Sequence, residues 1–281
     1  MTHLAGQAVP LSSGRAVRLE RLDHGVHHVV LTRPSVRNAL DTGAIGELGA
    51  ALDTIGALGE TDLRLLVLRG EGGFLSAGAD VAYMRERATA DREANLTDAT
   101  LLASVFRRLA GVPVPVLGVL TGAAMGGGLG LIACCDLVIA EESAVVGLPE
   151  ARLGLIPAVV GPYLIRRIGV AQTAALAFTG RRYTAEEALR LGLAHQVVAA
   201  ASLPAALDEM VCDVLRGGPE AVRRAKQLFL DLVPLPSPEI EAFTATTLAD
   251  VRASAEARAG LDAFLKRGAA PWVPLEKRQG P

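Results

Sequence analysis

The sequence predicts an α/β fold that passes into a helical C-terminal region, and three observations carry that prediction. Residues 26–31, 63–68 and 114–120 are short apolar runs with the length and composition of buried strands. Each is stopped by Pro or Gly and leads into a stretch with apolar residues three and four apart, so the unit is strand, turn, helix. From Thr184 onward almost every segment reads as helix.

In chain order, residues 16–22 alternate roughly, Asp23-His24-Gly25 makes a turn, and 26–31 closes a hairpin that Arg33-Pro34 ends. Asp41 is the expected N-cap of a helix whose inner face is Ile45, Leu48, Leu52 and Ile55. The strand over 63–68 is closed by Gly70, Gly72 and Gly73. The charged stretch 81–109 reads as helical, with Leu101, Leu102, Val105 and Leu109 turned inward. A strand over 114–120, a glycine turn, a helix over 128–135 and strands over 137–140 and 144–147 follow, then a Gly/Pro-rich loop and a helix around 160–168. Helices are expected over 184–191, where Thr184, Glu186 and Glu187 form an approximate capping pattern, and over 202–215, 219–232 and 238–265. The chain therefore divides into an N-terminal tail (1–14), an α/β core (15–200) and a helical C-terminal region (201–281), with no linker between the last two.

Composition narrows the functional classes. The 28 basic and 30 acidic side chains of the 281 residues nearly cancel, which speaks against a nucleic-acid-coating surface and a polybasic membrane anchor. Aromatics, at 4%, are too few for a series of base-stacking platforms. Only Lys226, Lys266 and Lys277 are lysines; arginine suits phosphate, but genome composition gives the same skew. Cys134, Cys135 and Cys212 are neither a disulfide framework nor a metal-ligand pattern, and with no secretory signal in residues 1–14 they fit a reducing, cytoplasmic setting. Residues 109–135 carry no charge, yet Pro113, Pro115 and seven glycines mark that run as strand, turn and helix start rather than a membrane span.

Two glycine-bearing junctions stand where strands meet helices: Phe74-Leu75-Ser76-Ala77-Gly78-Ala79-Asp80 and Met125-Gly126-Gly127-Gly128-Leu129-Gly130. Each can present unpaired backbone N–H groups, and two converging N–H groups make an oxyanion hole. Neither junction fits a dinucleotide fingerprint or a P-loop, and no GxSxG elbow occurs. Glu150 lies in an apolar stretch, where desolvation raises a carboxyl pKa into the range useful for proton transfer; the alternative is a turn acid paired with Arg152. Asp136, at a helix end, reads as a structural turn residue. His3, His24, His27, His28 and His195 join no Ser, Cys or metal motif, so no metal site is expected.

Taken in order, Arg33-Pro34, Asn38-Ala39-Leu40, Ser76-Ala77-Gly78-Ala79-Asp80, Gly126-Gly127-Gly128 with Cys135-Asp136, Pro149-Glu150 with Leu153-Gly154, and the ending Ala263-Phe264-Leu265-Lys266-Arg267 resemble the enoyl-CoA hydratase/isomerase (crotonase) superfamily over about residues 15–275. The resemblance implies a crotonase-like spiral of ββα units with a helical trimerisation region, acyl-CoA thioester substrates, coenzyme A entering only as part of the substrate, and homotrimers often paired into hexamers. It implies backbone oxyanion donors at Ala79 and Gly127 and acid/base chemistry at Glu150. It also implies an adenine loop around Ala77 and Asp80, a pantetheine and phosphate path along Val36 and Arg37, and contacts of Phe264 and Arg267 with a neighbouring subunit's CoA. The sequence departs from the family where a first hydratase glutamate is expected, since Gly130 stands there, and at Ala158 after Pro157. Residues 127–132 and 152–163 look like bacterial methylglutaconyl-CoA hydratases. Hydration of a 2-enoyl-CoA, straight or branched, is therefore the first expectation. Isomerisation of a 3-enoyl-CoA by Glu150 alone, or acyl-CoA binding without catalysis, is the alternative. Arg85, Arg87 and Arg152 are candidates to meet a second substrate carboxylate.

Overall fold

A computed structural model describes residues 8–59 and 61–274; His3, Lys277 and the first half of the expected tail lie outside them. In chain order the elements are β1 (Val9–Ser13), β2 (Val17–Arg21), β3 (Val26–Leu31), α1 (Thr42–Gly56), β4 (Leu65–Gly70), α2 (Val81–Thr89), α3 (Arg92–Ala110), β5 (Val116–Leu120), β6 (Ala123–Met125), α4 (Gly127–Ala133), β7 (Leu137–Glu141), β8 (Val145–Gly147), α5 (Gly161–Thr179), β9 (Arg182–Thr184), α6 (Ala185–Leu191), β10 (Gln196–Val198), α7 (Leu203–Arg216), α8 (Pro219–Leu232), α9 (Pro238–Arg252) and α10 (Ala255–Leu265). Seven strands form one sheet in the order β1-β2-β3-β4-β5-β7-β10. The first two pairings are antiparallel, and those from β3 onward are parallel. A second sheet joins β6, β8 and β9.

Between the two sheets the chain advances by repeated turns. A strand of the large sheet is followed by a short inner segment and then a helix. Bridges pair Leu40 with Ala79 and Ser76 with Ala124, so the inner layer continues from β6 into the loops after β3 and β4. The turns are β3, Leu40, α1; then β4, the 76–79 segment, α2 and α3; then β5, β6, α4; then β7, β8 and α5. This is the spiral of ββα units that the resemblance implies, with a helical C-terminal region beyond it.

Where structure and sequence reading differ, the causes are local. Residues 9–13, assigned to the tail, pair with β2 as β1, adding an edge strand whose side chains are all exposed. The strands β6, β9 and β10 have three residues each, too few to display an alternation. The stretch 81–109 is two helices because Ala90 is extended and Asp91 caps the second by accepting from Ala94 N at 2.8 Å. Ser254 likewise divides 238–265 into α9 and α10, accepting from Ala257 N at 3.0 Å. Of the expected inner face of α3, Val105 and Leu109 are buried while Leu101 and Leu102 are half-buried. The uncharged run 109–135 becomes the end of α3, β5, β6 and α4; among the described residues no helix is long and apolar enough to cross a membrane.

Candidate active site

The loop that carries Ala79 is fixed from both sides. Asn38, 2% exposed, accepts from Arg33 N at 2.8 Å and donates through Nδ2 to the carbonyls of Glu71 (3.0 Å) and Phe74 (2.6 Å). Ser76 Oγ donates to the Asn38 carbonyl at 2.8 Å and accepts from Gly78 N. Leu40 then takes both neighbours of Ala79, its N–H donating to Gly78 O at 2.7 Å and its carbonyl accepting from Asp80 N at 2.9 Å. The Ala79 N–H is left with no protein acceptor among the described residues, and Ala79 lines a cavity.

Gly127, on the same cavity, is the first residue of α4, where a helix leaves its N–H groups unpaired. Gly126 precedes it at φ 51°, ψ −118°, a conformation open to glycine, and a Cβ there would stand 3.0 Å from Glu150 Oε1. Gly126 N donates to Gly147 O at 2.9 Å, which ties the turn to the strand that leads to Glu150.

Glu150 opens the single 3-10 turn Glu150–Leu153 after β8. Its Oε2 is closed off from solvent and has no hydrogen-bond partner, and burial pushes its carboxyl up to about 7. Pairing with Arg152 does not occur: that guanidinium donates Nε and Nη2 to the Thr179 carbonyl at 3.2 and 3.0 Å. Asp136 is structural as expected, accepting from Val116 N at 2.8 Å and from Lys226 Nζ at 2.6 Å.

The cavity, about 90 Å³, brings Ala79, Gly127 and Glu150 onto one surface, otherwise largely apolar through Leu40, Ile45, Leu102, Leu155, Ile156 and Val160. Among the described residues no other carboxylate lines it. Gly130 itself is buried beside the cavity, and a Cβ there would meet the Phe106 ring at 2.8 Å and Val160 Cγ2 at 3.0 Å, so the space next to it is filled by hydrocarbon. Its polar wall is Tyr83 and Arg252, both joined to the buried Asp98 behind them: Tyr83 Oη donates to Asp98 Oδ2, Arg252 Nη1 to the same oxygen at 2.8 Å, and Arg252 Nη2 to Tyr83 Oη at 3.1 Å.

The other residues singled out in the sequence lie off this cavity. Asp80 is spent inside the fold, capping α2 through Ala82 N (2.8 Å) and pairing with Arg33 (3.1 Å). Ala77 N donates to the Arg37 carbonyl, Arg37 stacks over the Phe74 ring at 5.3 Å, and Val36 is exposed beside it. Phe264 and Arg267 are exposed at the end of α10. Arg87 bonds Glu86 and the Ala94 carbonyl, and neither it nor Arg85 nor Arg152 lines the cavity. Phe106, Tyr83, Asp98 and Arg252 escaped the sequence reading. Phe106 lies one position from the inner-face Val105, which was the available signal; Asp98 and Arg252 are 154 residues apart, and no local pattern joins them.

The spiral of ββα units thus brings onto one apolar cavity two residues whose peptide N–H groups have no acceptor among the described residues and one desolvated carboxyl, the groups that proton transfer beside an oxyanion needs. The family model for enoyl-CoA hydratase/isomerase matches residues 21–274, and the chain belongs to that family. It is 34% identical over 201 residues to the short-chain-enoyl-CoA hydratase of Clostridium acetobutylicum (71% of this chain, 75% of the relative). It is 34% identical over 211 residues to an enoyl-CoA isomerase/hydratase of Zymoseptoria tritici (70% and 68%). Among solved structures, an enoyl-CoA hydratase from Shewanella pealeana superposes with a TM-score of 0.71 at 32% identity, covering 97% of each chain.

Proposed function

We propose that the chain moves a double bond within a short 3-enoyl-CoA, with Glu150 as the sole proton shuttle. The observation that carries this reading is the single carboxylate: among the described residues Glu150 is the one acid that lines the cavity, and the space beside the buried Gly130 is taken by Phe106. The ionised carboxylate of Glu150 takes a proton from C2, and the electron pair moves to the thioester oxygen. The N–H groups of Ala79 and Gly127 hold the resulting enolate oxygen, each such donor being worth roughly 3 to 4 kcal/mol in a protease precedent. The same carboxyl returns the proton at C4, so the double bond passes from C3–C4 to C2–C3 and no water is consumed. A pKa of about 7 suits a group that must be base and acid in turn. The cavity favours a short acyl group, since a cavity of about 150 Å³ holds benzene and this one is about 90 Å³.

Proton NMR of a 3-enoyl-CoA incubation should show the conjugated isomer without a water adduct, and Glu150→Gln should lower kcat by about 10³-fold. A water adduct as the main product, or an unimpaired Glu150→Gln enzyme, defeats this reading. Hydration is the second reading, favoured by the hydratase name of the Clostridium acetobutylicum relative. A branched, methylglutaconyl-like 2-enoyl-CoA in the same panel tests it, with mass gain of one water as the signature.

The helical region supports assembly as well. Phe229, Leu232 and Phe243 on α8 and α9 are 61%, 69% and 69% exposed, an apolar surface suited to a trimer interface. Light scattering should return three or six times the 29.2 kDa chain mass; a monomer removes the proposal.

A further inference from the structure

Arg252 is an arginine buried on an apolar cavity, and its hydrogen bonds do not use it up. A guanidinium carries five N–H donors. One goes to Asp98 and one to Tyr83, and the remaining three have no protein partner among the described residues. Asp98 cancels its charge and also accepts from Tyr83 Oη and from Thr42 Oγ1 (3.2 Å). The group is therefore held rigidly, is formally neutral as a whole, and retains donors on a surface whose other lining is mostly hydrocarbon. Unspent donors at an apolar surface are costly unless a ligand or water takes them. A chain of carbon and hydrogen alone cannot.

We infer that the Tyr83–Arg252 wall recognises a neutral oxygen, hydroxyl or carbonyl, on the acyl chain, so that hydroxy- or oxo-acyl-CoA thioesters are the preferred ligands. A second carboxylate is disfavoured on electrostatic grounds. Asp98 already neutralises Arg252, and another anion would share a small apolar cavity with Glu150, which must ionise to act. This places substrate selection on Arg252 rather than on Arg85, Arg87 or Arg152. Tyr83, in the first turn of α2 and four residues past Ala79, couples that wall to the loop holding one of the two free N–H groups. Both residues act here by selecting and positioning the acyl chain.

The inference rests on the thioester reading of the cavity, and its test does not require turnover. Calorimetric titration with three freshly prepared saturated thioesters that carry no double bond to move, butanoyl-CoA, 4-hydroxybutanoyl-CoA and succinyl-CoA, compares ligands that share one CoA body. The hydroxyl compound should bind about 10-fold tighter than butanoyl-CoA, the effect of one hydrogen bond to a charged donor, and tighter than succinyl-CoA. In the double variant Asp98→Leu/Arg252→Met the charges leave together, so no ion is stranded, and the 10-fold preference should fall to about one. Tyr83→Phe, a milder change that keeps the ring, should reduce the preference and carries the test if the double variant fails to fold. General damage to the fold would weaken all three ligands in parallel and leave their ratio intact. Equal binding of butanoyl-CoA and its hydroxyl derivative by the unaltered protein, tightest binding of succinyl-CoA, or a preference that survives in the folded double variant overturns the inference while leaving the isomerase reading standing. Failure of all three thioesters to bind overturns both.

Discussion

Glu150 lines the cavity and Asp98 lies behind its Tyr83–Arg252 wall, two carboxylates with opposite surroundings. Asp98 is 3% exposed and fully engaged, with Tyr83 and Arg252 on Oδ2 and Thr42 on Oδ1. The sealed Oε2 of Glu150 has no partner at all. A buried ion is tolerable when donors replace its lost hydration, and that is the state of Asp98. At Glu150 burial outweighs the one backbone hydrogen bond, so its proton is held up to about neutral pH and remains available for transfer. Satisfaction of hydrogen bonds, more than burial, separates the carboxylate that builds the wall from the one suited to chemistry.

The comparison breaks most strongly at Asp98. Asp98→Ala strands the Arg252 guanidinium in a nearly dry site and should cost about 3 to 5 kcal/mol in urea-unfolding stability, whereas Asp98→Leu/Arg252→Met should cost far less because both charges go. A single and a double variant of equal stability would show that the pair is not what holds this wall.

Glu150 gives a smaller effect of opposite sign. Its folded pKa, about 7, lies above the ordinary value of 4.5, so ionising it in the folded protein is unfavourable. The stability tied to its protonated form is complete below about pH 4.5 and is lost as pH rises through about 7. Glu150→Gln removes that loss. The variant should match the unaltered protein near pH 4 and exceed it by up to roughly 3 kcal/mol at pH 8. Equal stability across that range would mean that Glu150 is hydrated. The same ionisation should appear in activity, with kcat/KM rising as pH passes about 7.

Much of this site was legible in the sequence because its parts are written locally. The two glycine-bearing junctions are contiguous segments, within which the family resemblance singled out Ala79 and Gly127, and Glu150 stands in an apolar stretch whose desolvation follows from its neighbours. The strand-turn-helix units were legible for the same reason, each beginning with an apolar run stopped by Gly or Pro, while their winding into a spiral of ββα units came from the family resemblance. The three-residue strands β6, β9 and β10 were too short to show a period. The polar wall was hidden by distance along the chain, Tyr83 and Arg252 being 169 residues apart on helices whose local pattern says nothing of one another. Phe106 was hidden by its ordinariness, an apolar residue in a helix with many.

Phe106 gives the last and smallest expected effect, and it decides how Gly130 is understood. If Gly130 were only a lost glutamate, Gly130→Glu would restore a second carboxylate. The Phe106 ring and Val160 stand 2.8 and 3.0 Å from where its Cβ would be, so the substitution should instead overpack the site and cost about 1 to 3 kcal/mol. Opening the space first with Phe106→Ala, then adding Gly130→Glu, supplies both the room and the carboxylate. That pair should add water to a 2-enoyl-CoA faster than either single variant, with the mass gain of one water as the readout. Hydration gained by Gly130→Glu alone would show that the ring yields readily. The filled wall would then be incidental to the one-carboxylate chemistry assigned to Glu150.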